Sequence, residues 1–262
     1  MVSKNMKIGA AIFVVLIVAV LLLYNWSSSG GNNSLVKYDN QPVSSTDMAN
    51  LQSIANNMTL ANQVGTGAIA SYPARIHGKN LTINSKPAVI YIGADYCPYC
   101  AAGRWGLAIA LMRFGSLSGL SYMTSSSSDV YPSTPTFTFA NVSYQSGYIS
   151  FAEAETQTNT YQPFQSLTPL ENATYRAYDT GGIPFIDFGN RSIQSGANYP
   201  PSLLDNHDWQ YIISQIGNPS TTLSQSVIGS ADVFTAQICN LDNFTPASVC
   251  SAPYVKSILS VG

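Results

Sequence analysis

Residues 88–104, AVIYIGADYCPYCAAGR, run from a strand through a pair of cysteines into a helix. Ala88, Val89, Ile90, Tyr91, Ile92 and Gly93 form an apolar run rich in β-branched and aromatic residues, the composition of a buried strand. Cys97-Pro98-Tyr99-Cys100 follows, and residues 101–114 then supply helix formers, with Leu107, Leu111 and Phe114 at helical spacing. The two cysteines therefore sit where a strand hands over to a helix. Pro98 suits the first turn, where its missing N–H has no carbonyl to meet.

This placement has chemical consequences. A helix start presents free N–H groups and a partial positive charge, which favour a thiolate at Cys97. Cys100, one turn on, is within disulfide reach. The first sulfur can attack and the second can resolve the mixed disulfide. Half a zinc site has the same spacing, but no further ligands lie near the motif, and His77 and His207 are isolated. No metal and no cofactor are expected.

The chain has 262 residues, enough for a sizeable core, and only 9% of them are charged, against roughly 25% in ordinary soluble domains. Its net charge of −2 leaves no nucleic-acid footprint. Lys4 and Lys7 precede residues 8–24, an uncharged and nearly all-apolar run just long enough to span a bilayer. Two readings are open: a cleaved signal peptide, or an uncleaved anchor that leaves the N-terminus cytoplasmic and the main domain extracytoplasmic. The length of the apolar run and the absence of a clear cleavage site favour the anchor. The expected organisation is an anchor over 1–26, a flexible linker over 27–46 and an extracytoplasmic domain over 47–262.

Within that domain the pattern predicts a helix over 47–64 capped by Thr46 or Asp47, a short strand at 81–83 and a second strand at 119–124. Residues 136–142 and 147–156 read as strands that could pair as a hairpin, with Glu153 and Glu155 on one face. That face is either solvated, or it brings one carboxylate near the thiols as a proton carrier. A helix is expected over 168–178. Pro184 then opens a strand, followed by helices over 203–216 and 221–238, a loop over 243–250 and a tail over 254–261. Cys239 and Cys250 read as a structural disulfide, with a second redox pair as the alternative. Sequons make Asn57, Asn80, Asn141, Asn172, Asn190 and Asn243 candidate glycan acceptors on an exported chain, and Asn25 and Asn32 fall in the anchor and linker.

A strand, a C-x-x-C at a helix start and a later Ile-Pro opening a strand together resemble the thioredoxin superfamily. Cys-Pro-Tyr-Cys is the glutaredoxin-type motif, and the exported setting is similar to that of DsbA-type oxidases. More closely, KPAVIYIGADYCPYCAAGRW, TPTFTFANVSY, GGIPFIDFGN and TAQICNLDNFTPASVC resemble an archaeal family of anchored thioredoxin-like proteins, the domain of unknown function 929. The resemblance implies an α/β fold: a central mixed sheet with flanking helices, and an insertion at about 125–180 between the C-x-x-C half and the cis-proline half. It implies Cys97 as nucleophile, Cys100 as resolving thiol and Pro184 as a cis-proline whose loop, with Ile183, docks substrate backbone. It also supports the Cys239–Cys250 bridge. The buried acid that thioredoxin places in the strand before its motif is absent from residues 88–93, and Asp95 is not its equivalent by position.

The function expected from these residues is that of a membrane-anchored, extracytoplasmic thiol–disulfide oxidoreductase of oxidase or isomerase type. Its partners would be exported cysteine-containing proteins and a membrane redox partner. Tyr96, Pro98 and Tyr99 would contact substrate. Tyr96, Tyr99 and Trp105 would flank the site as an apolar platform, or serve plain packing. Arg104 would favour the Cys97 thiolate or be a surface charge. The alternative is a non-catalytic exported binding protein in which both cysteine pairs are staples.

Overall fold

The computed structural model describes residues 34–178 and 181–261. The expected anchor at 8–24 lies outside the described residues, as do Asn25 and Asn32. Among the described residues no helix is long and apolar enough to cross a membrane.

In chain order the elements are α1 (Ser45–Asn56), α2 (Met58–Val64), β1 (Ala74–Arg75), β2 (Thr82–Ile83), β3 (Lys86–Gly93), α3 (Pro98–Met112), β4 (Gly115–Ser118), β5 (Ser121–Thr124), β6 (Pro135–Thr138), β7 (Ser143–Ser146), β8 (Ser150–Glu155), α4 (Pro169–Ala177), β9 (Phe185–Phe188), β10 (Ser192–Ser195), α5 (Trp209–Ile216), α6 (Thr222–Leu241), α7 (Ala247–Cys250) and α8 (Pro253–Val261). Short 3-10 turns cover Val36–Tyr38 and Pro201–Leu204.

The central sheet is mixed. β1, β10, β9 and β3 lie side by side and antiparallel, β8 runs parallel to β3 on its other side, and β2 pairs with the first residues of β3. Both faces of this sheet are covered, which is why β3 is an unbroken apolar run. Val89 and Tyr91 join Ile186 and Phe188 in the large core against α3 and α6. Ile90 and Ile92 join Phe185 and Ile193 on the opposite face, under Tyr175 of α4. The α3 and α6 helices approach closely, and a Cβ at Gly106 would collide with Ser230. Two separate ribbons, β4 with β7 and β5 with β6, fill the stretch between α3 and β8.

Several expectations change. The helix expected over 47–64 breaks at Asn57, whose side chain caps α2 by accepting the Leu60 N–H. Its first cap is Ser44, which accepts the Asp47 N–H, rather than Thr46 or Asp47. Asp47 is instead buried, with its carboxylate taken by Tyr122 and Gln210. Residues 136–142 and 147–156 do not form a hairpin, because β6 pairs with β5 while β8 joins β3. β8 lies inside the stretch expected as an insertion (about 125–180) and completes the main sheet. The helix expected over 203–216 is a 3-10 turn and the separate α5, which Asp208 caps. The tail over 254–261 is helical, with Tyr254, Val255 and Ile258 buried against the core. Residues at the end of the expected linker are docked: Leu35 and Val43 are buried, and the Asn40 and Val43 N–H groups donate to Tyr122 and Leu120 carbonyls.

The Cys239–Cys250 disulfide is formed, with a Cα–Cα distance of 5.4 Å, and ties the last turn of α6 to α7. Closing so short a loop stabilises by roughly 3 kcal/mol in the chain-entropy model. Two X-Pro bonds are cis, Ile183–Pro184 and Thr245–Pro246.

Charges are buried in this core. Arg113, at the end of α3, places Nη1 2.7 Å from Asp232 Oδ1. It donates from Nε to the Ala55 carbonyl and from Nη1 to Thr235 Oγ1 at 2.8 Å. Burial pushes the Asp232 carboxyl up to about 7 despite Arg113. Burial likewise lifts Asp39 and Asp187 to about 6, Asp95 to about 7 and Glu153 to about 8.

Two outcomes follow from these groups. The five carboxyls bind protons more tightly folded than unfolded, so stability falls as pH rises from about 4 through about 8. Thermal unfolding between pH 5 and pH 8 should give a higher midpoint at pH 5; a flat or reversed profile would show that these carboxyls are not held protonated. Arg113→Met leaves Asp232 buried without its partner, costing about 3–5 kcal/mol at pH 8 and less at pH 5, where Asp232 takes a proton. Denaturant midpoints at the two pH values measure both.

Candidate functional site

The Cys97–Cys100 pair stands at the junction of β3 and α3, as the residue pattern predicts. Cys97 is the N-cap of α3, and its Sγ accepts the Cys100 N–H at 3.1 Å. Its thiol faces the Ile183 carbonyl at 3.8 Å. Pro184 follows at the mouth of β9, where its ring packs on α3: a Cβ at Gly103 would lie 3.2 Å from Pro184 Cγ. The glycine is what lets this proline loop approach the helix. Cys97 is 5% exposed and Cys100 is fully buried, and both are free thiols.

The two sulfurs are unequal. A hydrogen bond from the Cys100 thiol lowers the Cys97 thiol below its ordinary value, helped by the Cys100 N–H and the Arg104 charge and opposed by burial. Burial pushes Cys100 well up, and its hydrogen bond and repulsion with Cys97 add to this.

Beneath the thiols lies a buried ionic cluster. Arg104 is 0% exposed, which excludes the surface-charge reading. Its Nε and Nη2 donate to the two Glu155 carboxylate oxygens, each at 2.7 Å, and Nη2 also donates to the Ala94 carbonyl at 2.8 Å. Asp95 Oδ1 lies 3.4 Å from the same nitrogen. Glu155 Oε1 accepts a further bond from the Phe139 N–H. Burial and then the Glu155 charge raise Asp95 to about 7, against the pull of Arg104. Two acids thus share one guanidinium, and Asp95 exchanges a proton near neutral pH.

Glu155 is fully buried, so the solvated-face reading fails there: β8 pairs with β3 in the main sheet, not with β6 in a hairpin. Glu153 is half-buried and accepts from Gln165 at 3.1 Å. Its carboxyl rises to about 8 through burial.

The expected aromatic platform is partly corrected. Trp105 is buried in the core, donating Nε1 to the Pro135 carbonyl at 3.0 Å and packing on Phe137, so it does not flank the thiols at the surface. Tyr99 is 41% exposed and meets Tyr131 edge-on at 5.9 Å, while Tyr96 packs on Tyr161 at 4.6 Å. Pro98 is buried and Ile183 half-buried. The rim therefore includes Tyr131 and Tyr161, which the sequence reading passed over because they lie in loops with no periodicity. Arg104 and Glu155 were in view as separate residues, but nothing local joined them.

Of the sequon residues, Asn80, Asn141, Asn172 and Asn243 are exposed, and Asn57 is the exposed cap of α2. Asn190 is different: its Nδ2 donates to the Lys79 carbonyl at 2.8 Å and its Oδ1 accepts from Tyr178. Among the described residues no group of three or more His, Cys, Asp or Glu is placed to hold a metal ion.

No curated protein and no solved structure matches the chain. Residues 72–176, which span β1 to α4 and include both thiols, Asp95, Arg104 and Glu155, match the model of the family described as Domain of unknown function (DUF929), the family that the sequence resembles.

Proposed function

We propose that this chain is a thioredoxin-like thiol–disulfide oxidoreductase of oxidase or isomerase type, anchored by residues 8–24 and acting outside the cell membrane on exported cysteine-containing proteins. The observation that carries it is the Cys97 sulfur: an N-cap thiol, lowered in pKa, one turn from a buried partner and 3.8 Å from the carbonyl that precedes a cis-proline. The topology supports the thioredoxin-like reading, with a parallel β3–α3–β8 unit and then β9 and β10 returning antiparallel ahead of α6. The Cys239–Cys250 disulfide supports an oxidising compartment.

In the isomerase direction the Cys97 thiolate attacks a substrate disulfide. An S–S bond forms to Cys97, and the displaced substrate sulfur leaves as a thiolate free to attack elsewhere in its own chain. A substrate thiolate then attacks the substrate sulfur bound to Cys97, a new substrate disulfide forms, and Cys97 leaves as a thiolate, with no net change in oxidation. If the mixed disulfide stalls, Cys100 attacks Cys97, the substrate leaves reduced, and a Cys97–Cys100 disulfide remains. In the oxidase direction that disulfide is attacked at Cys97 by a substrate thiolate, and Cys100 leaves and takes a proton. A second substrate thiolate then completes the substrate disulfide and releases Cys97. The two electrons pass on to a disulfide-bearing or quinone-bearing membrane partner. Each time Cys100 attacks or leaves, a proton must move in a dry site, and Asp95, sharing Arg104 with Glu155, is the group there that exchanges one near neutral pH. Tyr99, Tyr131 and Tyr96 supply an apolar rim for the segment around the substrate cysteine.

Cys100→Ser protein expressed in its native membrane should accumulate mixed disulfides that run as high-mass, reductant-sensitive bands, and Cys97→Ser protein should show none. Equal trapping by the two variants, or none by either, removes the enzyme reading and leaves the anchored binding protein. Asp95→Asn keeps the Arg104–Glu155 pair and removes the exchangeable proton. Resolution of a preformed Cys97 mixed disulfide needs Cys100 to lose its proton, so in the native chain its rate climbs as pH rises through about 7. In the variant that step disappears and the rate at pH 8 falls on the order of a hundredfold. An unchanged stopped-flow pH profile would take Asp95 out of the reaction.

A further inference from the structure

We propose that a cavity at the β9–β10 turn binds a small oxyanion, the carboxylate or phosphate group of a ligand no larger than a small metabolite. The cavity holds about 260 Å³, a little below the usual range for ligand sites, and Arg75, His77, Arg191, Gln237, Asn240 and Phe244 line it. The backbone builds it. Arg75 pairs with Ser192 across β1 and β10, and the Ile76 N–H donates to the Arg191 carbonyl at 2.9 Å, so the two arginines arise from adjacent strands. Arg75 Nη2 is held toward the Leu259 carbonyl at 3.4 Å. Gln237 accepts from Ser192 Oγ through Oε1 at 2.7 Å, which leaves its amide N–H groups for a ligand.

Charge makes this cavity an anion site. Among the described residues every ion pair involves Arg104 or Arg113, so the Arg75 and Arg191 charges are unopposed. Among the described residues no carboxylate lines the cavity; Asp242, the acid nearest in sequence to Asn240 and Phe244, accepts from Thr245 at 2.6 Å. The C-terminal end of α6 contributes roughly half a negative charge nearby, which two full guanidinium charges outweigh. Guanidinium forks match the paired oxygens of carboxylate and phosphate, and the 48% exposed ring of Phe244 gives a flat apolar wall beside them. In a chain with 9% charged residues, two unpaired arginines and a histidine in one hollow are a marked concentration of donors.

The site is also remote from the thiols. β9 begins at Phe185 opposite Ile92, beside the cysteines, and ends at Phe188 opposite Val89, so the β9–β10 turn lies at the other end of the sheet. The inference therefore stands or falls independently of the redox reading.

Calorimetric titration of the full-length chain in detergent, at constant ionic strength, with inorganic phosphate and separately with succinate tests it. Saturable binding of at least one anion is expected, weakened about tenfold or more by Arg191→Ala and lost in the Arg75→Ala/Arg191→Ala double variant, with Arg191→Lys recovering only part. Phosphate alone, succinate alone or both would each support the site and say which oxyanion it prefers. No saturable heat with either anion, or binding unchanged in the double variant, overturns it. Both arginines are exposed, so an unaltered thermal midpoint checks that the variants remain folded.

Discussion

The buried Arg104 side chain is the constraint on which the rest depends. Its guanidinium joins α3, which carries it, to the distant β8 through Glu155 and to the adjoining β3–α3 connection through the Ala94 carbonyl and Asp95. An isolated charge in that position would cost several kcal/mol or more, and only a partner with matched geometry offsets it. The two parallel bonds to Glu155 supply that match. They also fix register, because Glu155 reaches Arg104 only when β8 pairs with β3 as it does, Glu155 opposite Gly93. The same contact holds the first turn of α3 against the end of β3, which is where Cys97 gains its N-cap geometry.

That arrangement explains how a chain so poor in charge uses the charges it has. Asp47, Asp95, Arg104, Arg113, Glu155, Glu171, Asp187 and Asp232 are all buried. Buried ionisable groups are uncommon because hydration is lost, and these survive through specific partners. Asp47 receives Tyr122 and Gln210, Glu171 closes a capping box with Thr168, and Asp187 accepts the Asn190 N–H in the β9–β10 turn. Ser, Thr, Asn, Gln and Tyr fill much of the surface, where the remaining charges are scattered.

Much of this was legible in the residues. The run at 88–93 is apolar on both faces because both faces are covered, and Pro98 and Cys97 mark a helix start by local chemistry alone. Pro184 opening a strand and the bridge between Cys239 and Cys250 were likewise within reach. What escaped was non-local or degenerate. Arg104 and Glu155 are 51 residues apart, and no periodicity connects them. β8 alternates as a hairpin strand would, and only its pairing with β3 shows that it belongs to the main sheet. Ser44, Thr46 and Asp47 are each competent caps; the burial of Val43 just before them selects Ser44. Residues 254–261 lack a strong stop or start signal, and their helix rests on the packing of Val255 and Ile258.

The thiols show what the ionic cluster does chemically. Two identical side chains one turn apart meet opposite conditions: Cys97 takes the helix-end N–H groups and the proton of its partner's hydrogen bond, while Cys100 has only the dry interior. Of the two sulfurs Cys97 is therefore the one that ionises first, and exchange chemistry begins there. Moving that charge to Cys100 places it where Glu155 already repels it and Arg104 is already committed. A neutral, protonated Asp95 relieves this conflict, since it keeps the cluster from carrying two net negative charges when Cys100 ionises. The high pKa of Asp95 and that of Cys100 thus share burial as their first cause, which Arg104, already committed to Glu155, offsets only in part.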